Sequence, residues 1–131
     1  MEFVAVIVAT LAAYGFGAFW YFRMSKPWIK AAGIALDATG KPQGNGNPMP
    51  FIMGFLCILV VAGMMRHVFV MSGLNSVLEG LMGGFGIGAF FIAPWTMINN
   101  AYPGRPFLLT IIDGAYAIIG CTLMGVVLAL F

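Results

Sequence analysis

Asp113 is the only charge in the run Phe107–Phe131, FLLTIIDGAYAIIGCTLMGVVLALF. An acid in such a run can carry a proton, hold a small solute or ion through its oxygens, or tie two helices together by hydrogen bonding. Side chains able to meet it fall at matching positions elsewhere in the chain. Trp20 and Tyr21 close the first apolar run, Asn99 and Asn100 close the third, and Thr110 and Tyr116 flank the acid on its own run. Asp113, Tyr116, Tyr21, Trp20, Asn99 and Asn100 therefore form a candidate polar site. Arg66 and Glu79 stand on consecutive apolar runs joined by the short segment Ser72-Gly73-Leu74-Asn75-Ser76. Counted from that turn they lie at similar depth, which predicts an ion pair. The alternative is that each reaches the headgroups separately.

The remaining reactive residues suggest less. His67 has Met64 and Met71 at i−3 and i+4, the makings of a soft-metal or haem ligand set. With no second His and 10 Met spread along the chain, it reads instead as a hydrogen-bonded or interfacial His. No metal and no cofactor is expected. Cys57 and Cys121 fall midway along apolar runs and read as buried free thiols. The glycines from Gly80 to Gly88 lack the Lys and Ser/Thr of a phosphate-binding loop. There is no Ser-His-Asp set, no CxxC, no zinc cluster and no basic patch for nucleic acid. An enzyme is not expected, save for one acting on a lipid, which would lack a nucleophile or a metal.

These residues sit in a chain of 131 residues that is 62% hydrophobic and 8% charged, with a mean hydropathy of +1.01. Soluble domains carry about 25% charge, so the solvent for most of this chain is lipid. A spanning helix needs about 20 apolar residues. Four runs qualify, about 3–22, 51–71, 77–98 and 107–131, which makes one membrane domain over 1–131. The runs are too long and too continuous for the alternating strands of a membrane barrel. The expected fold is all-α, a transmembrane four-helix bundle.

Arg23, Lys26, Lys30 and Lys41 lie between the first two runs and Arg105 between the last two, while Arg66 alone lies toward the other end. The excess of basic residues in cytoplasmic loops then places both termini on the non-cytoplasmic side. Within the first loop, about 23–50, Ser25-Lys26-Pro27-Trp28 reads as the start of a short interfacial helix ended by Gly33. Trp28, Ile29 and Ala32 would face lipid, with Lys26 and Lys30 in water. The stretch KPQGNGNPMP from Lys41 to Pro50 is turn-forming. Ser76 is the expected cap of the third helix, with Glu79 completing a capping box.

Small residues mark where helices approach closely in lipid. Ala5, Ala9, Ala13 and Gly17 recur every four residues in the first helix, and Gly80, Gly84 and Gly88 in the third. Gly114, Ala117, Cys121 and Gly125 share a face of the fourth. Three such stripes predict either a tight bundle or a face for a second protomer. Gly15-Phe16-Gly17-Ala18-Phe19-Trp20 also looks like Gly86-Ile87-Gly88-Ala89-Phe90-Phe91, which reads either as a parallel two-helix repeat or as coincidence in a small alphabet.

Gly17-x-x-Trp20-Tyr21, Trp28, the Gly-rich third helix with Ala93-Pro94, Asn99-Asn100, Arg105-Pro106, Ile112-Asp113-Gly114-x-Tyr116 and Gly125 together resemble a bacterial family of small four-helix membrane proteins. That family is called domain of unknown function seventeen sixty-one. The resemblance covers nearly the whole chain and departs from the family at Phe22-Arg23-Met24-Ser25 and in the loop Lys41–Pro50. It implies that Trp20, Tyr21 and Asp113 belong to one shared feature and carries no activity with it. The expectation is a multi-pass protein of the bacterial inner membrane in contact with the lipid bilayer. It would move a small solute or ion around the Asp113 site, or serve as a non-catalytic accessory or assembly subunit, as a homo-oligomer or within a larger membrane complex.

Overall fold

The computed structural model describes residues 2–44 and 46–131, so Asn45 in the predicted turn-forming stretch lies outside the described residues. Four helical segments are long and apolar enough to cross a membrane: Glu2–Arg23, Met49–Met71, Val77–Ala101 and Phe107–Leu130. In chain order the elements are α1 (Glu2–Arg23), α2 (Ser25–Ala32), α3 (Met49–Ser72), α4 (Val77–Ile87), a π-helical turn (Gly88–Ile92), α5 (Ala93–Ala101) and α6 (Phe107–Leu130). The third span runs three residues further than expected, because Asn99, Asn100 and Ala101 continue the helix.

Local chemistry sets the ends. Ser76 Oγ accepts from the Glu79 amide at 3.2 Å, and Glu79 Oε2 accepts from the Ser76 and Asn75 amides at 3.1 and 2.9 Å. That reciprocal capping satisfies backbone donors that the first turn of α4 leaves open. Gly33 and Gly73 both end their helices with φ +70°, a backbone conformation glycine adopts without a Cβ penalty. The π turn precedes Pro94, and the Ala93 amide donates five residues back to Gly88 O. Proline has no N–H and clashes with an ordinary helical turn; the wider turn accommodates it. Between α2 and α3, Asp37 Oδ1 accepts from the Thr39 hydroxyl at 2.6 Å and from the Thr39 and Lys41 amides at 2.9 and 3.0 Å. The Thr39 hydroxyl, followed by the backbone amides, holds the Asp37 carboxyl below its ordinary range.

α6 is the hub. It packs against α1, α2, α4, the π turn and α5, whereas α3 leans mainly on α1 and touches α4 and α6 only sparsely. The buried core joins Ala5, Ala9 and Ala13 of α1 to Ala62, Met65 and Phe69 of α3 and to Cys121, Met124 and Leu128 of α6. The closest approach is the α4–α6 seam. A Cβ on Gly84 would collide with the Cys121 carbonyl, one on Gly80 with the Gly125 carbonyl, and one on Gly125 with the Gly80 carbonyl. A Cβ on Gly88 would lie 2.7 Å from Ala117 O. Gly114 is less crowded, with the Ala93 methyl at 3.6 Å. In lipid, dispersion between close backbones replaces water exclusion as the cohesive term. All three small-residue stripes are thus used inside the chain, which is the tight bundle of the two expected outcomes.

The outer surface carries Phe3, Phe22, Phe51, Val60, Met71 and Phe107 among many exposed large apolar side chains. Such a surface suits hydrocarbon and not water. The two similar hexapeptides match in part: Gly17 and Gly88 are both buried against α6, and Phe19 and Phe90 are both exposed. Phe90 and Phe91 are 73% and 70% exposed in the π turn, while Trp20 lies in regular α-helix with its indole N–H turned onto α6.

The seam makes a paired prediction. Gly84→Ala drives a methyl into the α6 backbone and should cost about 1–3 kcal/mol, as overpacking does. At Gly86 an added Cβ would meet nothing within 4 Å. Ala should be accepted there with no loss, or with a gain of up to about 1 kcal/mol from helix propensity. Thermal unfolding of both variants in the same detergent compares them directly.

Candidate functional site

Asp113 lies about 9 Å along α6 from Phe107, at 1.5 Å per residue, in a half-buried position. Its Oδ1 accepts from the Tyr21 hydroxyl at 2.7 Å and from the Trp28 indole N–H at 3.2 Å. The Trp20 indole N–H donates to the carbonyl of the neighbouring Ile112 at 3.0 Å. Three donors from the α1–α2 end therefore clasp two consecutive residues of α6. They reach it because α1 and α2 are nearly one helix: the Met24 amide donates to Trp20 O and the Trp28 amide to Met24 O across the break. Tyr21 and Trp28, seven residues apart, meet edge-to-face with ring centroids 5.8 Å apart. Among the described residues no donor reaches Asp113 Oδ2, and the atom is not sealed from its surroundings.

Asp113 also lines a cavity of about 250 Å³. Cys57, Ile58 and Val61 of α3 form one wall, and Ile92 of the π turn with Thr96 of α5 forms another. Asp113, Tyr116, Ala117 and Gly120 of α6 supply the floor. α3 and α5 flank this space without close backbone approach to each other. A shallower hollow of about 350 Å³ lies beside Tyr14, Phe51 and Phe55. It holds no charged group, and the Tyr14 hydroxyl there is given to Phe51 O at 3.0 Å.

The predicted polar residues separate into three groups. Asp113, Tyr21 and Trp20 come together. Tyr116 lines the cavity beside Asp113, but its hydroxyl donates to Ala13 O at 3.1 Å, with the ring lying where a Cβ on Gly17 would be. Asn100 donates its amide to the Thr110 hydroxyl at 3.2 Å, and exposed Asn99 joins no bond to Asp113. Trp28, expected to face lipid, instead binds the acid. Its spacing from Tyr21 is the signal that points there, since residues seven apart share a helix face. Cys57, expected to be buried, is exposed, while Cys121 is buried; both are free and both line the cavity.

The Arg66–Glu79 ion pair is not formed. Glu79 is occupied by the capping box, and Arg66 Nη1 donates to Leu128 O at 3.1 Å. Each ion takes backbone groups near it: the carboxylate open amides at a helix start, the guanidinium a carbonyl in the last turn of α6 that also accepts from the Phe131 amide, in keeping with the helix dipole. Arg66 Nε is buried without a partner among the described residues. Those residues also hold no cluster of three or more His, Cys, Asp or Glu placed for a metal.

A bundle of four apolar spans, hydrocarbon-facing on the outside and organised around one intramembrane carboxyl group, is a small multi-pass integral membrane protein. The family model described as Protein of unknown function (DUF1761) matches residues 4–129. The chain belongs to that family. No curated protein matches it, and no solved structure does.

Two double-mutant cycles check this geometry by unfolding in micelles. Tyr21→Phe with Asp113→Asn should show a coupling of about 1 kcal/mol, as groups sharing a hydrogen bond do. Tyr116→Phe with Asp113→Asn should couple less strongly, since the Tyr116 hydroxyl is bonded to Ala13 O and its ring meets the site through Tyr21, 5.4 Å away. At the other end, Arg66→Ala and Glu79→Ala should each destabilise, by about 1–3 and about 1 kcal/mol respectively. Their effects should add, where an ion pair would couple them.

Proposed function

We propose that this chain is a small transport protein whose solute- or ion-binding site is the cavity at Asp113. The observation that carries the reading is the state of that carboxyl group. One oxygen is held by Tyr21 and Trp28 and so is fixed in place, the other has no protein donor among the described residues, and the residue lines a cavity whose surface is otherwise apolar. A charge in a span costs at least about 2.5–3.5 kcal/mol on insertion scales. A purely structural tie would be expected to use both oxygens. A π turn in one wall supports the reading too, because such turns recur at functional sites.

The basic residues Arg23, Lys26, Lys30, Lys41 and Arg105 favour a cytoplasmic position for the end of the bundle nearest Asp113. On that reading the termini face outward, α2 lies at the inner interface, and the membrane is the bacterial inner membrane. The alternative role, an accessory or assembly subunit, is favoured by a different observation. The α3 span and the α4–α5 span are each only 11% buried within the chain, leaving large faces for lipid or for partner helices.

Proteoliposomes carrying the full chain test the first reading. Fluxes of protons, of sodium and of benzyltrimethylammonium are followed in parallel for wild type and Asp113→Asn. At least one flux should exceed that of empty liposomes and fall to the empty level in the variant. Equal fluxes for wild type and variant across all three would overturn transport through this site. For the accessory role, purification in mild detergent should bring down a stoichiometric partner, and a lone monomer would count against it.

A further inference from the structure

Between Phe19 and Ala31 the chain has two unlike sides. At about 100° per residue, Trp20, Tyr21, Met24, Trp28 and Ala31 share one arc of about 100°, and all five are buried or half-buried. That side holds the clasp on α6. Phe19, Phe22, Arg23, Lys26 and Lys30 share the opposite arc, and all five are exposed. The backbone bonds across Met24 keep the two arcs in phase from α1 into α2.

The exposed side is ordered along its length. Phe19 and Phe22 come first, 61% and 82% exposed at the end of the first apolar span. Arg23, Lys26 and Lys30 follow within about 10 Å of helix axis. The 4 acids of the chain are engaged elsewhere. Asp113 accepts from Tyr21 and Trp28 on the other side, Glu79 caps α4, Asp37 folds onto Thr39 and Lys41, and Glu2 opens α1 at its far end. An apolar strip thus leads into three cations that carry no countercharge from the protein. A soluble anion would use the cations and leave Phe19 and Phe22 without a role. A zwitterionic lipid brings its own cation to the phosphate, which three basic groups repel. A lipid with net negative charge matches both halves of the strip.

We propose that this face of α1 and α2 binds one anionic diacyl phospholipid, its phosphate held by Arg23, Lys26 and Lys30 and its tails laid along Phe19 and Phe22. The Arg23 guanidinium presents a planar fork suited to two phosphate oxygens. Lys26 and Lys30, one helical turn apart, add two point charges on flexible stems. The site stands independently of transport at Asp113.

The full chain in neutral detergent micelles, given phosphatidylglycerol or phosphatidylcholine at matched mole fractions, supplies two readouts. Native mass spectrometry counts the lipid retained, and thermal unfolding reports its linkage to stability. Phosphatidylglycerol should be retained in preference to phosphatidylcholine and should raise the unfolding temperature saturably. Arg23→Gln, Lys26→Gln and Lys30→Gln should each weaken its retention about fivefold, and the triple variant should lose the preference. Lys26→Arg should keep it. Lys41→Gln, an equal change in net charge outside α1 and α2, should leave it unaltered. Phe22→Ala should weaken retention of the diacyl lipid. Without lipid the triple variant should unfold at the wild-type temperature, since all three side chains are exposed; the single variants carry the test if it does not.

Equal retention of the two lipids by wild type would overturn the proposal, as would a preference for phosphatidylglycerol that survives removal of the three charges. Displacement of the lipid by millimolar inorganic phosphate would overturn it too, because the face would then be a site for a soluble anion.

Discussion

Hydrocarbon contains no hydrogen-bond donor, so a carboxyl group placed among membrane-spanning helices has to be served from within the protein. That demand organises one end of this molecule. Asp113 draws the Tyr21 hydroxyl and the Trp28 indole, and the adjacent Ile112 carbonyl draws Trp20. Interhelical hydrogen bonds in membranes are worth about 0.6–2 kcal/mol apiece, and three acting on two neighbouring residues fix where α1 and α2 meet α6. With that end set, Tyr116 falls onto the bare backbone of Gly17 and donates to Ala13 O. The alanine stripe of α1 then lies within the core.

The rest of the bundle divides by how closely backbones can approach. α6 and α4 meet with glycine on both sides and little between them, while α6 and α1 meet through alanine, glycine and one tyrosine. α3 has bulkier contacts, Met65 and Phe69 in the core, and is tied by two long-reach bonds, Arg66 to Leu128 O and the Tyr14 hydroxyl to Phe51 O. It touches α4 and α6 only sparsely. The cavity occupies the space that this loose attachment leaves. Tight seam and open cleft are two results of one distribution of side-chain sizes.

Features decided within a few residues are legible in the sequence. The four spans, the Ser76–Glu79 cap and the helix stopped at Gly33 follow from hydropathy, capping and backbone chemistry, none of which needs a distant partner. Asp113 stands out as a charge in an apolar run, and depth along the helices is enough to bring Tyr21 and Trp20 to it. Depth alone misleads at Arg66 and Glu79, because it ignores the direction each side chain takes around its helix and the nearer backbone groups competing for it. Trp28 escapes for a related reason. Tryptophan near a membrane surface normally anchors at the interface, and only the near-continuity of α1 and α2 through Met24 turns this one inward. The cavity depends on how α3 is set against α5 and α6, which no local pattern encodes.

The π turn has an effect on evolvability beyond the space it makes for Pro94. A π turn amounts to one residue inserted into an α-helix, and one residue is about 100° of rotation. The glycine face of α4 and the Ile92–Thr96 face of the cleft wall are therefore set in different angular frames on a single span. Substitutions that retune the cleft wall need not disturb the glycine seam, and the seam can stay invariant while the wall diversifies. Losing that one residue would couple the two faces again and swing Thr96 away from the cavity that it lines.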